Sequence, residues 1–140
     1  MGIEVNYVAV LAAAVASMAL GFLWYGPLFG KVWMKLKGYT HEGLKAEQKK
    51  MGPLYGLSFM VALITAYVLT HVMALSSNFY GYDPVTGGLT SAFWSWFGFM
   101  MPVQITATIF GDKNWKLLGI DSGYQLASVL AMGVVIGYLG

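Results

Sequence analysis

A chain of 140 residues is the right length for one domain, but 58% apolar residues against 10% charged ones lies far from the balance of a soluble domain and implies a membrane protein. The net charge is only +2 and all basic residues are lysines, so the bidentate phosphate forks that arginine supplies are missing and no nucleic-acid partner is expected. Cysteine is absent, which excludes disulfides, thiolate metal sites and cysteine nucleophiles.

The first six residues hold Glu4 and no lysine, so they lack the positive start of a secretory signal, and Tyr7 to Tyr25 is expected to stay in the chain as a first crossing despite the small-residue run Ala14-Val15-Ala16. About 20 residues at 1.5 Å each span a hydrocarbon core. Next comes the boundary: Trp24, Tyr25 and Trp33 are rings suited to headgroup depth, and Lys31 and Lys35 can reach lipid phosphates. Gly26 and Pro27 are expected to end the helix there. Residues 31–53 carry most of the lysines, with Glu42 and Glu47. Thr40 is positioned to cap a short interfacial helix over about 41–51, stopping at Gly52-Pro53 and complementing its dipole with Glu42 at one end and Lys49 and Lys50 at the other. A plain solvated connector is the preferred role for this segment.

A second crossing is expected over 54–75, followed by a lysine-free link from Ser76 to Gly88 with the turn signals Asp83-Pro84 and Gly87-Gly88. The third crossing covers 89–110, residues 111–116 make a polar turn, and the fourth crossing covers 117–139. The fold class is therefore all-α: a polytopic membrane protein with four transmembrane helices and a short interfacial helix, residues 1–140 forming a single transmembrane four-helix domain. Lysines sit only in the first and third links. The positive-inside rule then places both termini outside and the loop 31–53 in the cytoplasm.

Lipid supplies no hydrophobic force between helices, so small residues mark close packing. Ala13, Ser17 and Gly21 line one face of the first crossing. The last has Gly123, Ala127 and Ala131 on one face and Gly133 with Gly137 on another, which suggests either internal packing or contact with a second subunit. Gly98 and Pro102 are four apart, and the proline ring collides with the carbonyl four residues back, so a kink is expected near Gly98.

Five residues form a candidate polar intramembrane site: His71, Tyr67, Gln104, Asp121 and Gln125. Intramembrane ionisable groups are functional candidates by default. For His71, with Tyr67 one turn away, a neutral imidazole bonded to a tyrosine or a backbone carbonyl is the plainer reading. Asp121, Gln125 and Ser128 share a helix face, with Gln104 and Thr108 at comparable depth on the third crossing. Capping by Asp121 at its helix start competes with an ion or solute site. His41 should lie across the membrane from His71, so no metal ligands, cofactor or catalytic residues are assigned. The motifs of soluble chemistry, GxSxG, HExxH, GxxxxGK[ST] and GxGxxG, do not occur.

Asn6-Tyr7-Val8-Ala9-Val10-Leu11, then Leu23-Trp24-Tyr25-Gly26-Pro27-Leu28-Phe29-Gly30-Lys31 and Trp33-Met34, resemble the amino-terminal signature of the family called "domain of unknown function 1761". Trp96-Phe97-Gly98-Phe99 and Gly123-Tyr124 are similar to it as well. The resemblance implies an integral membrane protein of bacteria and some fungi with about four helices and no assigned activity, and it supplies no site residues. The leading functional expectation is a non-enzymatic protein in the lipid bilayer, a homo-oligomer or an accessory to another membrane protein. The alternatives are a small transporter or channel working through an oligomer, and a membrane-embedded enzyme acting on lipid or quinone with His71 or Asp121 as acid or base.

Overall fold

A computed structural model describes residues 5–37, 51–111 and 113–139. Among them all regular structure is helical, as the long apolar runs dictate. Helix α1 spans Tyr7–Leu23 and starts at Asn6, whose side-chain oxygen accepts from the amides of Val8 and Ala9. A π-helical turn, Trp24–Leu28, carries the rod onward, and α2 follows over Gly30–Lys37. Helix α3 spans Met51–Tyr80, α4 Pro84–Ser95 and α5 Met101–Phe110, with a second π-helical turn, Trp96–Met100, between α4 and α5. The last helix, α6, is Trp115–Leu139.

Three of these stretches are long and apolar enough to cross a membrane: Tyr7–Leu28, Tyr55–Tyr80 and Trp115–Leu139. The crossing expected at 89–110 is helical but composite, with pieces of twelve, five and ten residues. It starts earlier than the hydropathy suggested, because Asp83 caps it, accepting from Thr86 N at 3.2 Å, and Pro84 takes the first helical position, where a missing N–H costs nothing. The link before it shrinks to residues 81–83, turned by Gly81 at φ +69°, a left-handed value that glycine adopts without a Cβ clash.

Three expectations about proline change. Gly26 and Pro27 do not end the first helix outright. The Phe29 amide reaches back five residues to Trp24 O at 2.8 Å, a wider turn that accommodates the absent proline N–H. The kink expected between Gly98 and Pro102 takes the same form, with Met101 N–H bonded to Trp96 O. Gly52 and Pro53 do not stop a helix either; they lie in the first turn of α3, where proline is tolerated. The expected interfacial helix over 41–51 lies outside the described residues, apart from Met51, which opens α3.

Helix α6 is the hub, packed against α4 and α1, while α3 closes the other side of α1 and α4. The core is built from small side chains: Val10, Ala13 and Ala14 of α1, Ala62 and Ala66 of α3, and Ala92 of α4, around Leu69, Met73, Val129, Met132 and Ile136. Gly88 and Gly133 bring α4 and α6 so close that a Cβ on either would run into the backbone carbonyl of the other, and one on Gly137 would meet Pro84 O at 2.6 Å. Gly123 in turn makes room for the Trp24 ring, 3.2 Å from where a Cβ would stand. The glycines on both small-residue faces of α6 are thus met by helices of the same chain. Asn6 Nδ2 donates to Leu139 O at 3.1 Å, so the start of α1 and the end of α6 share one end of the bundle. Large apolar side chains such as Leu57, Ile64, Phe99 and Val103 point outward, as lipid-facing surface would.

Candidate functional site

The π-helical turn after α1 aims two rings at α6. Trp24 donates its indole N–H to Ile120 O at 3.0 Å, and Tyr25 donates its hydroxyl to Asp121 Oδ1 at 2.6 Å, the length of a bond to a carboxylate. From the opposite side Trp96, first residue of the other π-helical turn, donates its indole N–H to Ser122 O at 2.9 Å. Three consecutive residues of α6 are held this way, each by an aromatic donor from another helix. Trp24 and Tyr25, expected at headgroup depth, direct their polar ends to α6 instead. Trp33 packs edge-on against Tyr25, ring centroids 5.6 Å apart, while Lys31 and Lys35 are exposed on α2.

Deeper in the bundle a hydroxyl cluster continues the seam. Ser17 Oγ and Ser128 Oγ are 2.6 Å apart and buried, and Tyr124 OH donates to Ser17 O at 3.1 Å. Gly21 admits the tyrosine, whose hydroxyl lies 3.0 Å from where a Cβ would stand.

On its other side Asp121 lines a cleft of about 350 Å³ between α5 and α6, with Gln104, Thr108, Lys113 and Asn114. That volume is at the lower end of the ~300–1,000 Å³ usual for small-molecule sites. Asn114 caps α6, its Oδ1 accepting from Leu117 N at 3.2 Å while Nδ2 donates to Leu36 O at 3.3 Å. Capping therefore belongs to Asn114, and Asp121, in the second turn, is free of that duty. Lys113 holds φ 54°, which turns the short link tightly, and its amide bonds Thr108 O at 3.1 Å. Thr108 Oγ1 donates to Gln104 O at 2.9 Å. Gln104 Oε1 is buried with no hydrogen-bond partner among the described residues, a condition that costs roughly 1–3 kcal/mol.

Of the five candidate polar residues, the structure brings Gln104 and Asp121 to one cleft. Gln125 is partly buried one turn further along α6. Ser128, from the same expected face, turns to Ser17 instead. His71 and Tyr67 lie apart from the cleft on α3. His71 Nδ1–H donates to Tyr67 O at 2.9 Å, and the two rings are 4.7 Å apart. Among the described residues no three His, Asp or Glu gather to hold a metal ion. Sequence reasoning missed Lys113 and Asn114 as lining and Tyr124 as a hydrogen-bond donor. An asparagine directly before a helical run was the readable signal for the first pair.

No curated protein and no solved structure matches the chain. One family model does, described as "Protein of unknown function (DUF1761)", over residues 8–137. With nearly its whole length matched, from the first turn of α1 to the end of α6, the chain belongs to the DUF1761 family.

Proposed function

We propose that the protein is a non-enzymatic, four-helix integral membrane protein that binds a small polar molecule in the cleft between α5 and α6. The composite rod 84–110 would be the third of four crossings in chain order, since its continuous helical backbone is about 40 Å long at 1.5 Å per residue and exposes Phe93, Phe97, Phe99 and Val103. Placing the lysines inside puts the cleft at the cytoplasmic face of a bacterial inner membrane and both termini outside, with α2 along the interface. A second copy is not required by the glycines of α6, which the chain's own helices already meet.

The observation that carries the binding role is the buried, unpartnered Gln104 Oε1 in a cleft that also holds Asp121 and Thr108. Ser91 Oγ and Ser122 Oγ are also buried without a partner, but neither residue lines the cleft; among the described residues it is at Gln104 that an unpartnered acceptor and a polar pocket coincide. The test is a titration of purified protein in nanodiscs with small amines, phosphates and carboxylates, followed by NMR of the Gln104 and Asn114 side-chain amides. Binding should shift those signals and Gln104→Leu should weaken it; a panel that leaves them still refutes the site.

A further inference from the structure

On the reading that the cleft binds a small molecule, we infer that its ligand is a zwitterion with a primary ammonium at one end and a phosphate at the other, the chemistry of an ethanolamine phosphate. The two ends of the cleft differ in charge and in hydrogen-bonding sense. At the inner end are acceptors: Gln104 Oε1, buried and unpartnered, and the Asp121 carboxylate, whose Oδ1 takes the Tyr25 hydroxyl and whose Oδ2 has no hydrogen bond among the described residues. An ammonium carries three N–H donors and no acceptor, which is what such a group of oxygens selects. A quaternary amine of the same charge has no N–H to offer Gln104.

At the outer end are a cation and donors. Lys113 lines the cleft, is exposed, and forms no ion pair among the described residues. It stands just before the first turn of α6, where Asn114 already takes the amides of Leu117 and Leu118, so the amides of Trp115 and Lys116, with the helix dipole, are what remain to favour an anion. Asp121 lies six residues beyond Trp115, about 9 Å along the helix axis. Lys113 and Asp121 both line the cleft and form no ion pair with each other. A molecule lying between them with charges in the opposite order satisfies both.

The position suits a phospholipid headgroup as well as a free solute. Trp115, at the start of α6, is 55% exposed, and an indole ring marks the depth at which headgroups lie.

The experiment compares phosphorylethanolamine, phosphorylcholine and ethanolamine by calorimetry on the purified protein in phosphatidylcholine nanodiscs. A parallel arm uses native mass spectrometry to compare phosphatidylethanolamine with phosphatidylcholine. Phosphorylethanolamine should bind at least tenfold more tightly than either other soluble probe. Gln104→Leu and Asp121→Asn should reduce the preference over phosphorylcholine, and Lys113→Ala should weaken both phosphorylated probes by the same factor. The Gln104 variant leaves the Tyr25 bond intact, so a fold disturbed at Asp121 does not decide the outcome. Retention of the ethanolamine lipid alone, or binding of the soluble probe alone, supports the same chemistry and tells the lipid from the solute. Equal affinity for phosphorylcholine overturns the ammonium end and leaves the cleft as a binding site. Equal affinity for ethanolamine overturns the phosphate end. If no probe binds in either arm, the inference falls, and the reading beneath it falls with it only if the wider panel of amines, phosphates and carboxylates also leaves the Gln104 and Asn114 signals unmoved.

Discussion

The Tyr25 hydroxyl donates to Asp121 Oδ1 at 2.6 Å and thereby ties the end of the first long helix to the second turn of the last. It also fixes one oxygen of the carboxylate that borders the cleft. Tyr25→Phe removes the donor while keeping the ring contacts with Trp33 and Tyr124. The expected loss is about 1–2 kcal/mol, between the ~0.6 average for membrane hydrogen bonds and the 1.5–3 for bonds to charged groups. Asp121→Asn should cost less, because its amide oxygen still accepts. A double-mutant cycle of Tyr25→Phe with Asp121→Ala, which removes the acceptor, on reversible unfolding in mixed micelles checks this, and a coupling energy near zero would show that the bond contributes nothing.

The Gly88–Gly133 crossing should tolerate no side chain. Alanine at either position meets the partner's backbone carbonyl rather than a movable side chain, so Gly133→Ala is expected to lose about 1–3 kcal/mol through overpacking. Gly98→Ala is the control, since nothing lies within 4 Å of its added Cβ. That variant should be neutral or gain a few tenths of a kcal/mol, ~1 at most, from helix propensity. Thermal unfolding of the two variants should therefore separate them clearly.

Topology is directly measurable because the chain has no cysteine. Single cysteines at Asn78, near the end of α3, and at Lys116, in the first turn of α6, should lie on opposite faces of the membrane. Asn78→Cys is expected to react with an impermeant maleimide on intact cells, and Lys116→Cys only after permeabilisation. The reverse pattern would invert the proposed orientation, and labelling of both on intact cells would remove one crossing.

Asp83 gives a pH dependence at the start of α4. Hydrogen bonds from the side chain and amide of Thr86 hold its carboxyl below the ordinary aspartate value. A depressed value means that the cap's contribution is fully present above the unfolded-state range near ~3.9 and is lost as pH falls through the lower folded value. The protection factor of the Thr86 amide, its exchange rate relative to that of a free peptide at the same pH, should hold through neutral and mildly acid pH and fall only below that range. Asp83→Asn should keep the cap and flatten the profile, whereas Asp83→Ala should speed exchange at every pH.

Much of the architecture was legible. The apolar run from Tyr7, the aromatic and lysine boundary near Trp24, and the polar turn before Trp115 all placed helices within a few residues of where they lie, because helix length and side-chain polarity are local properties. The proline effects were half legible. Steric reasoning put the disturbance at Gly98 and Pro102, but whether a helix breaks, bends or widens into a π-helical turn depends on what its neighbours bond, and Trp96 is bonded to Ser122.

The candidate site was less legible. Gln104 and Asp121 were named from their polarity, yet only the packing of α5 on α6 sets them round one cleft and leaves His71 with Tyr67 elsewhere. By itself the sequence determined that this chain is a set of apolar helices with a lysine-rich end, since hydrophobicity and charge are carried residue by residue. The tertiary structure decided which way the rings of that end turn. Trp24 and Tyr25 each bond a partner 96 residues away, and nothing in a run of neighbouring side chains specifies which distant carbonyl or carboxylate will stand opposite once the helices pack.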